Sequence, residues 1–279
     1  MRRRSTFLMT ILCFGFAFFY IPILSMIVFS FNNSRLATVW GGFSTKWYSS
    51  LLSNDKVIDA LILSLKIALL SATVATILGT MAGIALVRFT KFKGRTLFSG
   101  LVVAPLVMPE VITGISILIF FILMADWVGW PGSRGFTTIT LAHITFSMVF
   151  VTTIVQSRML QADRAIEEAA MDLGSRPWQV MFDIPLPVIS PAIVSGWLLA
   201  FTISLDDVVI SSFATGPGNT TLPLLVWSKV KLGVTPDINA LATLMVLTVG
   251  IGVITAGIIM NRTERKRQLE ERLAFQRND

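Results

Sequence analysis

From Phe7 to Phe31 the chain runs without one charged residue, directly behind the basic start Met1-Arg2-Arg3-Arg4. A bilayer core of about 30 Å is crossed by about 20 apolar helical residues, so this run is long enough to span a membrane. It is too long for the apolar region of an ordinary signal peptide, and no small-residue cleavage site follows it, so it reads as a retained span. Inside lipid a backbone has to satisfy its own polar groups, and a helix does so within one segment.

Five further segments meet the same test, giving spans at about 7–31, 59–87, 96–124, 136–157, 191–213 and 238–261. The second carries Lys66, the third Glu110 and the fifth Asp206-Asp207. Composition agrees: 54% of the 279 residues are hydrophobic and 14% charged, with a mean hydropathy of +0.74. Globular domains carry about 25% charge, which argues against a soluble enzyme. The fold class is all-α, a polytopic membrane protein of six transmembrane helices in a single domain over 1–279.

The 23 basic residues outnumber the 16 acids by 7, a balance that in a soluble protein would suggest nucleic acid. Their placement gives another reason. Sixteen fall on one side, in Arg2 to Arg4, the 88–95 loop, the 158–190 segment and the tail from Arg262 to Arg277. The opposite loops hold Arg35, Lys46, Lys56, Arg134, Lys229 and Lys231. Basic residues favour the cytoplasmic side, so both termini are expected there and no nucleic-acid partner is. Trp40, Trp47, Trp127, Trp130 and Trp227 gather on the outer side, where indole suits the headgroup level. Cys13 is the only cysteine and His143 the only histidine, and no spacing of the two residue types resembles a metal site.

The longest internal cytoplasmic stretch is 158–190. Asp163 to Leu173 are good helix formers, and Gly174 suits the positive φ that ends a helix. Ser175 is a candidate cap and Pro177 suits the first turn of a second short helix, which Ile184-Pro185-Leu186-Pro187 should break. Read from these residues alone, the segment is either a pair of short helices with a task or an interfacial connector. Glu168-Ala169-Ala170, three residues, Gly174, nine residues and Ile184-x-Leu186-Pro187 resemble the EAA loop of permease subunits in binding-protein-dependent ABC importers.

That resemblance implies a type I ABC importer permease fold whose loop forms coupling helices on a cytoplasmic ATPase. Ala169, Ala170 and Gly174 would admit close approach, and Glu168 and Arg176 would set the register. Ile184, Leu186 and Pro187 complete the implied coupling set. The chain has no GxxxxGK[ST] sequence, so ATP and Mg would be bound by two ATPase subunits and no cofactor is expected here. The implied partners are those subunits, a second permease that is homologous but different, and a periplasmic binding protein. The implied place is the bacterial inner membrane.

Three further stretches extend the likeness to permeases of polyamine importers, the putrescine type in particular. They are Thr38 to Tyr48, Ala104 to Gly114 and Ser204 to Ile210. Glu110 stands where that family often carries Asp.

The residues point the same way. A carboxylate inside a span is costly unless it faces a cavity or a partner, so Glu110, Asp206 and Asp207 are candidate pathway residues. Glu110 and Asp206 lie about 14 and 15 residues into their spans, roughly 21 to 23 Å from the inner face. Pro105 and Pro109 should bend or break the third helix beside Glu110. Separated carboxylates and an aromatic face such as Trp47 would suit a diammonium ion. Asp206 and Asp207 are about 100° apart on a helix, so one of them is expected to pair with Lys66 or cap a short outer helix.

After the 214–223 turn, Leu222 to Trp227 reads either as a short helix or as a plain loop. Rival readings are a permease for another small solute, a gradient-driven secondary cation transporter and a membrane hydrolase. The secondary transporter needs no coupling loop. The hydrolase would need more than His143, since GxSxG and HExxH are absent.

Overall fold

In the computed structural model, which describes residues 6–36, 39–233 and 235–277, every regular element is a helix and no strand occurs among the described residues. Arg2 to Arg4, which helped to orient the chain, and Thr38 lie outside the described residues. The helices are α1 (Thr6–Phe29), α2 (Lys46–Leu52), α3 (Asp55–Arg88), α4 (Arg95–Val107), α5 (Glu110–Val128) and α6 (Phe136–Leu160). They continue as α7 (Arg164–Asp172), α8 (Pro177–Asp183), α9 (Pro185–Asp206), α10 (Val209–Ala214), α11 (Leu222–Leu232) and α12 (Pro236–Arg277). Six of them, α1, α3, α5, α6, α9 and the first part of α12, are long and apolar enough to cross a membrane.

Two of the predicted spans are divided. The segment predicted over 96–124 is two helices, with Met108 and Pro109 extended between α4 and α5 at ψ 136° each. Proline lacks an N–H and pushes the residue before it out of the helical region, so the break falls at Pro109, while Pro105 stays inside α4. The segment predicted over 191–213 begins earlier, at Pro185, and ends at Asp206. Asp207 is extended, and α10 then forms a separate single turn and a half. Pro185 occupies the first helical position, where a missing N–H costs nothing. Ile184-Pro185-Leu186-Pro187 therefore ends α8 at Asp183, as expected, and also starts α9.

The chain divides into two compact units, one made of Met1–Asp59 with Leu225–Ala256, the other of Ala60–Leu224 with Gly257–Asp279. In the first, α1 exposes apolar side chains all round, including Phe7, Phe14, Phe18 and Phe19, an arrangement suited to lipid. The loop after α1 is organised by buried Asn32. Its side-chain amide donates to Val39 O at 2.7 Å, and its Oδ1 accepts from Gly41 N at 2.8 Å and Ser34 N at 3.1 Å. Phe31 stacks on Phe43 with centroids 5.3 Å apart.

In the second unit α6 is the axis. Its Val151, Val155 and Met159 join Ala72 and Val87 of α3 and Ile189 and Ala200 of α9 in one buried cluster. Toward the other end, Ile139, Ala142 and Phe146 meet Ile67 of α3 and Ile210 and Ala214 of α10. Leu222, at the start of α11, is buried, and its N–H donates to Ser64 Oγ at 2.8 Å. Of the two readings offered for Leu222 to Trp227, the helix is the one found.

Candidate functional site

The 158–190 segment is a helix pair with a sharp turn. Asp163 Oδ1 accepts from Ala165 N at 2.9 Å and caps α7. At the other end, Ser175 N donates to Ala170 O at 3.1 Å and Gly174 N to Met171 O at 2.9 Å. That pair of bonds is the Schellman closure, and it requires a left-handed residue, which Gly174 supplies at φ +92°. The interval from Ala170 to Gly174 is therefore set by backbone hydrogen bonding. The cap of α8 is Arg176, not Ser175: the Arg176 N–H donates to Gln179 Oε1 at 3.0 Å, and Pro177 follows as the first helical residue.

Glu168, Ala169 and Gly174 are exposed, together with Leu173 at 88%, Phe182 at 63% and Trp178 at 58%. A small helix pair with this much bare apolar surface is suited to being covered by another protein. Ile184 alone separates α8 from α9, and Leu186 and Pro187 lie in the first turn of α9. Arg88 donates to Glu167, and Arg164 to Val87 O at 2.7 Å, contacts that sequence reasoning did not find.

The second feature is the level of the two helix breaks. Glu110 opens α5 and Asp206 closes α9, and both are exposed on this chain. α10 packs along α5, with the Phe213 ring lying over Gly114. The ends of α4 and α9 also bring helix C-terminal carbonyls, which carry partial negative charge, to the breaks. Asp206 stands farther into α9 than the expected 15 residues, because that helix starts six residues before the predicted boundary.

Asp207 is different. It is partly buried, and its carboxylate accepts from Ser211 N at 2.6 Å and Ile210 N at 3.2 Å, capping α10. Buried His143 lies with Nε2 3.2 Å from Asp207 Oδ2 and 3.1 Å from Ser211 Oγ. Its Nδ1 is 2.7 Å from Ser204 Oγ, which accepts from Ser71 Oγ at 2.9 Å. A neutral ring with its proton on Nε2 satisfies this whole chain of bonds, which ties α3, α6, α9 and α10 together. The expectation that one of the two aspartates caps a short helix is met by Asp207. Lys66 is exposed and makes no ion pair among the described residues. It stands twenty-two residues before Arg88, about 33 Å along α3.

Trp47 belongs to the other unit. Its indole N–H donates to Asn32 O at 2.7 Å, and the Lys46 ammonium lies 4.8 Å over the ring. One face of this aromatic is thus taken by the chain's own cation.

The model of the family described as "Binding-protein-dependent transport system inner membrane component" matches residues 75–268. The chain is 54% identical over 264 residues to the "Putrescine transport system permease protein PotI" of Escherichia coli (strain K12), covering 95% of this chain and 94% of that one. It is 42% identical over 244 residues to the "Spermidine/putrescine transport system permease protein PotC" of the same organism, covering 88% and 90%. Among solved structures, a bacterial ABC transporter that imports the acidic polysaccharide alginate aligns with a TM-score of 0.75 at 17% identity, over 93% of this chain and 96% of that one. The last likeness concerns the fold alone.

Proposed function

Because the chain belongs to the binding-protein-dependent transport system inner membrane components, we propose that it is one of two permease subunits of an ATP-driven importer that brings a polyamine, putrescine first, into the bacterial cytoplasm. It is a multi-pass, non-catalytic membrane subunit. Both termini and the 158–190 segment lie in the cytoplasm in this reading, supported by the distribution of basic residues. ATP and Mg are bound by two ATPase subunits on which α7 and α8 dock. The second permease is a homologous, different chain.

The observation that carries the substrate reading is that Glu110 and Asp206 each stand at a helix break inside a predicted span and are both exposed on this chain. Two carboxylates with helix C-terminal carbonyls beside them stabilise a dication, whereas an anion would call for Arg, Lys or helix N-termini. Glu110 and Asp206 line the pathway and Asp207 holds the break in place. Trp47 shapes the outer loop. A loaded periplasmic protein docks on the outer loops, ATP closes the ATPase pair, and the helix pair passes that motion to the spans.

The test is uptake by the importer reconstituted with its partner subunits, using labelled putrescine competed by putrescine, spermidine and an unrelated cation. Polyamines alone are expected to compete, and Glu110→Gln and Asp206→Asn to weaken uptake. Uptake and apparent affinity unchanged in both variants would sink the acid-pathway reading.

A further inference from the structure

Glu167 and Glu168 are neighbours in the sequence with opposite fates. Glu168 is exposed, while Glu167 turns inward to Arg88, the last residue of α3. The two side chains are 12% and 11% exposed. Arg164, on the same α7, reaches past the pair to donate to Val87 O at 2.7 Å. Arg88 also lies 3.9 Å from Met159 Sδ of α6, and Val87 and Met159 share one buried cluster. α7 is therefore fastened to the inner end of α3 by an ion pair and a charge-assisted backbone bond.

α3 in turn is held hard against α6. Gly79 and Gly83 stand four apart on one face, and a Cβ at Gly79 would come within 2.8 Å of Met148 O. At Gly83 it would come within 3.1 Å of Thr152 O. Small residues at this spacing let two helix backbones touch, and helices packed at that distance have little room to slide. The helix pair thus has two roots, α8 into α9 through Ile184 and α7 into the α3–α6 pair. A buried charge stripped of its partner is strongly unfavourable, so α7 does not swing away from α3 without a large cost.

We propose that Glu167 and Arg88 are positioning residues that lock α7 to α3, so that movement imposed by the ATPases enters the membrane through α3 and α6 as well as through α9. The inference rests on the reading that α7 and α8 dock on the ATPase, and its test separates the two. Co-purification of the ATPase subunits reads docking, whereas polyamine taken up per ATP hydrolysed reads the lock.

In the complete reconstituted importer, Glu167→Gln is expected to keep the ATPase subunits bound and hydrolysing, while uptake per ATP falls about 3- to 30-fold, the range of coupling changes produced by residues between sites. The exchange Arg88→Glu with Glu167→Arg restores the ratio. An unchanged ratio in Glu167→Gln overturns the proposal, and so does loss of ATPase co-purification, which would put Glu167 in the docking surface itself. A second measurement needs no variant at the pair. With Cys13→Ser as background, spin labels at exposed Phe89 and Asp172 are expected to keep one separation in the nucleotide-free and ATP-trapped states. A separation that changes between those states means that α3 and α7 move independently, and the lock does not exist.

Discussion

Two adjacent acid pairs, Glu167-Glu168 at one helix pair and Asp206-Asp207 at the helix breaks, divide their labour in the same way. In each, one carboxylate is bound into the structure and its neighbour is left exposed. Within α7, consecutive residues point about 100° apart, so Glu167 and Glu168 cannot serve one surface together, whereas Asp206 and Asp207 part because α9 ends between them. The anchors differ in kind. Glu167 faces a guanidinium, while Asp207 faces two backbone N–H groups and an imidazole. The first arrangement joins two helices rigidly, and the second shapes a break inside the membrane.

The contrast is broken most severely at the anchors. Asp207→Ala leaves His143 and two N–H groups without their acceptor and is expected to cost about 3–5 kcal/mol, read as a lower unfolding temperature of the purified permease. Asp206→Ala, one residue away, should leave that temperature close to the parent's, and equal losses in the two would erase the distinction. Gly174→Val places a branched residue at φ +92° and is expected to cost about 1–2 kcal/mol, with weaker ATPase co-purification as the second readout. Asp206→Asn is expected to raise the putrescine concentration for half-maximal uptake about tenfold, or about 1.4 kcal/mol. The smallest effect belongs to Glu168→Gln. Its unfolding temperature should match the parent's, and only the amount of ATPase retained after washing should fall.

Much of this was legible in the sequence because the bilayer imposes few solutions. Long uncharged runs became helices, Pro109 broke one of them, and Gly174 took the positive φ expected of it. The α7–α8 pair was readable because its constraints are local: Asp163, Gly174 and Pro177 act within a few residues of themselves. The fifth span was misjudged at both ends. The prolines at 185 and 187 end α8 as expected, but they also stand in the first turn of α9, which tolerates them, and the Asp207 cap three residues before Ile210 resembled a continuing helix.

The buried ties were not readable. Arg88 and Glu167 are 79 residues apart and His143 and Asp207 are 64, and no local pattern announces either partner. A lone histidine in a span does signal a polar side chain in need of company, but not whose. Asn32 likewise carries no sequence signal of its role, though it organises the turn that holds Trp47.

Ile184 would give the α7–α8 pair a mechanical advantage. A single residue joins α8 to the 22-residue α9, so α9 acts as an arm about 33 Å long with Asp206 at its tip. A tilt of about 10° at that elbow would carry the tip about 6 Å. In the proposed mechanism, a small rotation of the α7–α8 pair would thereby be enlarged at the acid.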